Sequence, residues 1–190
     1  MPFEKVSEHL NGIIVIKTGE FFDKRGSFME MFRADLFKEI GIPNNFVQEN
    51  YSISKKGVIR GLHFQWKPEM GKLMRVISGS AFLVAVDIRK DSPTFGKWFG
   101  LKTSDKERVQ IWAPSGFARG FCALTDLTEI QYLCTGIYNP KCESGIRWDD
   151  KTVNIKWPLD NPDLSDKDKG AQTLEEWSRD PDSELFRFLK

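Results

Sequence analysis

Histidine is nearly missing from this chain. Only His9 and His63 occur in 190 residues, which leaves no room within one chain for a multi-histidine metal centre. Cysteine is scarce too. Cys122, Cys134 and Cys142 are odd in number, and none stands in a C-x-x-C pair. That pattern reads as buried, reduced thiols rather than a disulfide framework or a structural zinc site. Charge of one sign is also lacking. Lys plus Arg number 28 and Asp plus Glu 27, for a net charge of +1. That balance argues against a general nucleic-acid binder, although a local basic cluster can still grip phosphate. No apolar stretch approaches a membrane span, and no basic segment followed by an apolar run opens the chain. The expectation is a cytoplasmic protein with neither a membrane nor a nucleic acid as partner.

The composition is that of a globular protein, 40% hydrophobic and 29% charged. One domain spanning residues 1–190 is expected, with a core over about 11–160 and a loop or tail over 161–190. Short strands dominate the reading. Ile13–Ile16, Ser27–Phe32, Phe46–Ser54, Val58–Gln65, Leu73–Ile77 and Ala81–Ile88 open the series. Ser78-Gly79-Ser80 marks a hairpin, and Phe82, Val84, Val86 and Ile88 alternate onto one face. Phe95–Lys102, Val109–Ala113, Phe117–Leu124 and Glu129–Thr135 continue it. Helical signals are few. Ala34–Ile40 ends at Gly41 before Pro43. Thr173–Ser178 carries a capping box, Thr173 with Glu176 three residues on. Many strands between Gly, Pro, Asn and Asp turns predict a β-sandwich or barrel.

Two strand-like segments are polar where a strand should be apolar. They are Gln48-Glu49-Asn50-Tyr51-Ser52 and Arg60-Gly61-Leu62-His63-Phe64-Gln65. A barrel interior open at one end can hold such groups, because ligand or water satisfies them. In a regular strand Arg60 and His63 point to opposite faces. Either a bulge at Gly61 brings them into one cavity, or Arg60 serves a neighbouring subunit. Lys72 reads as a solvated lysine unless its strand lines a pocket. Tyr132 shares a face with Ile130 and Cys134, as a core tyrosine would. Arg119, set among small residues and aromatics in Pro114–Phe121, suits anion recognition. By composition, Asp168 belongs to a solvated charge run.

These segments and others resemble the dTDP-4-dehydrorhamnose 3,5-epimerase family over about Gly12 to Asp168. The motifs are Asp23-Lys24-Arg25-Gly26 with Glu30, Phe46–Asn50, Val58–Gln65, Gly71-Lys72-Leu73 and Val84–Arg89. Ser92–Trp98, Pro114–Phe121, Tyr138 with Pro140, Glu143–Asp150 and Leu164–Asp168 follow in order. The resemblance implies an all-β, cupin-like jelly-roll barrel with a few short helices. It implies a homodimer and a cofactor-independent, metal-free epimerase acting on a nucleotide-linked 4-keto-6-deoxy sugar, carried on dTDP.

It also implies roles. His63 resembles the general base and Asp168 the carboxylate that orients it. Tyr132 resembles the acid on the opposite ring face, and Lys72 the group beside the enolate oxygen. Arg25, Glu30, Gln48 and Asn50 match substrate-contact positions, as do Arg60, Glu143 and Lys167. Tyr138 matches an aromatic that packs on nucleotide or sugar. Two positions depart from the family, which commonly has histidine at Arg119 and aspartate at Leu83. Arg119 thereby brings a permanent charge and five donors to a substrate-binding position. A C3-only epimerase, a ketoisomerase on a related keto sugar, and a non-catalytic sugar-binding cupin are the rival readings.

Overall fold

The computed structural model describes residues 2–188; Leu189 and Lys190, the end of the expected tail, lie outside the described residues. The chain begins with β1 (Phe3–His9), β2 (Ile13–Thr18) and a short hairpin, β3 (Phe21–Asp23) with β4 (Gly26–Phe28). After α1 (Ala34–Glu39) come β5 (Gln48–Ser54), β6 (Ile59–Gln65), β7 (Lys72–Ser78), β8 (Ser80–Asp87) and β9 (Trp98–Ser104). Then follow β10 (Val109–Ala113), β11 (Phe117–Ala123), β12 (Thr128–Cys134) and β13 (Glu143–Gly145). The chain ends in α2 (Asp166–Lys169), α3 (Leu174–Arg179) and a 3-10 turn over Pro181–Phe186.

Two antiparallel sheets form the body. One has six strands in the order β1-β2-β10-β7-β12-β5, the other five in the order β13-β6-β11-β8-β9. From β5 onward the chain crosses between the sheets at every step except β8 to β9, which gives the cupin-like jelly roll its closed interior. The turn at Ser78-Gly79-Ser80 is one of these crossings, from β7 to β8, and not the expected hairpin.

Period-2 alternation sorts the strand residues into three apolar layers. Ile13 and Val15 of β2 face inward and join Met74, Val76, Leu83, Ala85 and Ile130 in the barrel core. Ile14 and Ile16 face outward and pack with Phe37 of α1, Leu73 and Trp112. On the other sheet, Val84, Val86 and Ile88 face outward and are covered by Leu174, Trp177 and Phe186. β8 is thus apolar on both faces because both are buried.

The tail therefore differs from expectation. It is not all loop: besides the expected helix after Thr173, here α3, it holds α2 and a 3-10 turn, and Trp177 is completely buried. The capping box of α3 is present, Thr173 with Glu176. The strand body also starts before residue 11, because β1 pairs along β2. Ser27–Phe32 is strand only to Phe28, and the Phe95 strand starts at Trp98 after a turn through Gly96.

Because Trp177 packs on Phe64, Trp66 and Phe186, Trp177→Ala is expected to cost about 3–5 kcal/mol of stability. Denaturant unfolding measures it. A loss below about 1 kcal/mol, the scale of an ordinary surface change, would mean that the tail is not part of the cooperative unit.

Candidate active site

The inward rows that form the core turn polar toward one end of the barrel. On β7 the row Val76, Met74 continues to Lys72. On β12, Ile130 is followed inward by Tyr132 and Cys134. On β11, Arg119 lies between Phe117 and Phe121 in the same row. The inward row of β5 is Gln48, Asn50, Ser52 and Ser54, with nothing apolar in it. On β6, Leu62 and Phe64 pack outward, which turns His63 and Gln65 inward. The result is a cavity of about 490 Å³ lined by His63, Lys72, Tyr132, Arg60, Arg119 and Asp168.

Arg60 reaches this cavity because β6 is irregular. Its ladder with β11 shifts register between Arg119 and Phe121, opposite Gly61. Gly61 has φ +131°, and a Cβ there would stand 2.6 Å from the Gly120 Cα, so only glycine fits. The bulge reading holds: Arg60 and His63 share one cavity. Arg60 is steadied by Ser54 Oγ at 3.0 Å and the Ile53 carbonyl.

His63 Nε2 lies 2.6 Å from Asp168 Oδ1. Asp168 is buried, not solvated as its neighbours suggest. Ser165 explains this. Its hydroxyl caps α2 by accepting the Asp168 N–H at 3.1 Å, and donates to Asp168 Oδ2 at 2.8 Å. Burial opposes ionisation of Asp168. Hydrogen bonds from His63, Ser165 and the Gly61 backbone outweigh it and hold the carboxyl below the usual carboxylate range. An ionised carboxylate only accepts, so the proton of a neutral His63 sits on Nε2 and Nδ1 keeps its lone pair.

The facing sheet supplies the other groups. Tyr132 pairs with Met74 and Asn50 across its strand neighbours, and Cys134 pairs with Lys72. Lys72 Nζ lies 5.1 Å from the centre of the Tyr132 ring. Burial raises the Tyr132 phenol above its ordinary value, with Asn50 pulling the other way. Burial, reinforced by Arg119, lowers Lys72 to about 8, while Cys134 and Glu143 oppose the shift.

A smaller recess adjoins the cavity and shares His63, Lys72 and Tyr132 with it. It gathers Gln48, Asn50, Tyr138, Glu143 and Lys167. Glu143 accepts from the Tyr138 hydroxyl at 2.8 Å and pairs with Lys167. Gln65 fixes the loop carrying Tyr138 by donating to the Ile137 carbonyl and accepting the Asn139 N–H.

Two expected residues stand apart. Arg25 is exposed and pairs with Asp23 at 2.5 Å, and Glu30 pairs with Arg33 at 3.7 Å. Neither lines the cavity or its recess. Arg119 lines the cavity, but both its Nη atoms donate to backbone carbonyls, so its fork is not open to a ligand as expected. Sequence reasoning missed Ser165. The spacing Ser165-x-x-Asp168 is the same helix-start signal as Thr173-x-x-Glu176. Among the described residues, no three or more His, Cys, Asp or Glu side chains converge to hold a metal. Among them, too, no helix is long and apolar enough to cross a membrane.

Residues 7–176 match the family model described as dTDP-4-dehydrorhamnose 3,5-epimerase. The dTDP-4-dehydrorhamnose 3,5-epimerase of Methanothermobacter thermautotrophicus is 46% identical over 177 residues, covering 92% of this chain and 96% of that protein. The enzyme of the same description from Shigella flexneri is 47% identical, covering 88% and 93%. Among solved structures, dTDP-6-deoxy-D-glucose-3,5-epimerase of Legionella pneumophila, in complex with dTDP-4-keto-L-rhamnose, superposes with a TM-score of 0.91. It is 39% identical and covers 99% of each chain.

The His63–Asp168 geometry carries its own test. Nitrogen-15 NMR of the wild-type protein above the imidazole titration is expected to show His63 protonated on Nε2. Asp168→Asn is expected to weaken that preference, since a carboxamide can donate as well as accept. A wild-type ring protonated on Nδ1 contradicts the arrangement.

Proposed function

The chain belongs to the dTDP-4-dehydrorhamnose 3,5-epimerase family, and from that premise we propose that it inverts C3 and C5 of a dTDP-linked 4-keto-6-deoxy sugar, converting dTDP-4-dehydro-6-deoxy-D-glucose to dTDP-4-dehydro-L-rhamnose. The observation that carries this reading is the opposition of His63 to Tyr132 and Lys72 from facing sheets around one cavity.

The chemistry calls for that opposition. Protons at C3 and C5 are acidic because each carbon lies beside the C4 carbonyl. Inversion removes a proton from one face and returns one to the other, so a base and an acid stand on opposite sides of the ring. His63 Nδ1 takes the proton, and the C–H electron pair moves into the ring to give a C=C bond and a negative O4. Asp168 keeps the ring oriented and stabilises the imidazolium. The Lys72 ammonium stabilises O4, a contribution of about 3 kcal/mol for such a donor. Tyr132, kept protonated by its raised affinity, delivers a proton to the opposite face as the carbonyl reforms. Solvent then removes the proton from His63 and restores that of Tyr132. A proton is exchanged and no electron or hydride moves, so no cofactor takes part. The second centre is inverted by the same cycle.

Gln48, Asn50, Arg60, Tyr138, Glu143 and Lys167 act as binding residues around the diphosphate, nucleoside and sugar. Arg25 and Glu30 serve the partner's cavity in a homodimer. Supporting this, Phe21, Phe22 and Phe28 of the β3–β4 hairpin are exposed, as are Val47 just before β5 and Tyr51 and Ile53 along it, an edge strand. Residues 1–190 act as one cytoplasmic epimerase unit.

In deuterium oxide the wild-type protein is expected to place solvent deuterium at C3 and C5 of the keto sugar, as seen by NMR and mass spectrometry. His63→Ala is expected to slow that exchange by at least about 10²–10⁴-fold. Absence of label at either carbon for every dTDP-linked 4-keto-6-deoxy sugar tried would defeat the epimerase reading. Undiminished exchange in His63→Ala would remove His63 as the base.

A further inference from the structure

Arg119 is a buried cation that pairs with no carboxylate among the described residues. It is 3% exposed, its Nη1 donates to the carbonyls of Ala113 at 3.1 Å and Pro114 at 3.3 Å, and its Nη2 donates to that of Met70 at 2.8 Å. Its Nε is buried and has no partner among the described residues. Leu83, Val84, Phe99 and Ile111 line the small apolar space at its side. A guanidinium in such a place is costly to keep, so what it touches matters. Ala113 is the β10 ladder partner of Lys72. Met70 lies two residues before Lys72. One side chain therefore ties together the two backbone segments that flank Lys72.

We propose that Arg119 is a positioning residue for Lys72, clamping the backbone on both sides of it and backing its ammonium with a fixed second positive charge. This rests on the reading of Lys72 as the cation beside O4. The arrangement makes the cavity floor more positive where an oxyanion develops, in a site whose dipoles are fixed before reaction.

The surroundings of Lys72 identify where its charge balance is set. From β12 it faces Tyr132 and Cys134, and from β11 Arg119. Arg60 and His63 of β6 and Glu49 of β5 line the same cavity. Glu143 of β13 and Lys167 of α2 line the adjoining recess, and Asp168 is engaged by His63. β10 contributes no ionisable side chain at the Lys72 pair. Glu143, the carboxylate that acts on Lys72, is shared with Lys167 and Tyr138. Burial is the main cause of the lowered Lys72 value of about 8, and the Arg119 charge adds to it. The protonated form is the active one. kcat/KM therefore falls as pH rises through the Lys72 pKa of the free enzyme.

The test is the pH dependence of kcat/KM in wild type, Arg119→Gln and Arg119→Lys, together with a direct titration of Lys72. Arg119→Gln removes the charge and is expected to move the alkaline limb up by about one pH unit. Arg119→Lys carries a charge only on the acid side of the profile, because burial lowers a lysine there as it lowers Lys72; on that side its rate is expected to fall with the lost clamp, and a wild-type rate there overturns the clamp. A limb unmoved in Arg119→Gln overturns the proposal, since a merely structural role lowers the rate without shifting the profile. Carbon-13 NMR of the lysine Cε, with Lys72→Met used only to assign the signal, needs no turnover. It is expected to give a wild-type midpoint near 8. A midpoint near the ordinary 10.5 overturns the proposal even if Arg119→Gln does not fold. The titration is independent of substrate, so absence of deuterium exchange by wild type defeats the epimerase reading and leaves this measurement standing.

Discussion

The hydrogen bond from His63 Nε2 to Asp168 Oδ1, 2.6 Å long, is the contact on which the site depends. It joins a strand in the barrel wall to a four-residue helix more than a hundred positions later in the chain. Two kinds of order meet in it. The strand turns the imidazole inward because its neighbours Leu62 and Phe64 are committed outward. The helix presents Asp168 because Ser165 caps it and grips the same carboxylate. A charged pair taken from water is stable only when its remaining valences are satisfied, and here Ser165 and the Gly61 backbone complete the carboxylate.

That contact makes the C-terminal segment part of the cavity wall. α3 and the 3-10 turn bury Leu174, Trp177 and Phe186 against the outer face of the five-stranded sheet. The Leu174 N–H is also held by buried Asp150 at 2.8 Å. The tail is thus anchored just beyond Asp168 by apolar packing and a backbone hydrogen bond. The barrel itself divides its interior lengthwise. Apolar rows fill one end, and the same rows carry Lys72 and Tyr132 at the other, with Arg119 set between Phe117 and Phe121. One set of strand registers therefore fixes both the core and the geometry of the polar groups in the cavity.

Much of this was legible in the chain. The two faces of β8, the helix after Arg33 and the Thr173–Glu176 capping box all follow from local rules, and the structure contains them. The turn at Ser78-Gly79-Ser80 is there too, but it carries the chain from one sheet to the other rather than closing a hairpin, because a turn signal does not encode which strands pair across it. The polar row of β5 and the Gly61 irregularity pointed to the cavity. Spacing alone did not reveal roles; those came from the resemblance. Composition misled at Asp168 because burial there is imposed from a distance, by the His63 wall and the packed tail. Arg25 and Glu30 lie away from the cavity, in a segment whose local pattern does not encode how far it stands from the barrel interior. β1 was overlooked because its polar residues alternate along an edge strand, where solvent satisfies them.

The central claim is that a base and an acid act from opposite walls of one cavity. Tyr132→Phe tests it most directly, by following solvent deuterium exchange and product stereochemistry together with the dTDP-linked keto sugar. The account predicts that exchange on the His63 side persists, with return of the proton to the same face, while formation of the inverted sugar drops by about 10²-fold or more. Inverted product formed by Tyr132→Phe at the wild-type rate would contradict it.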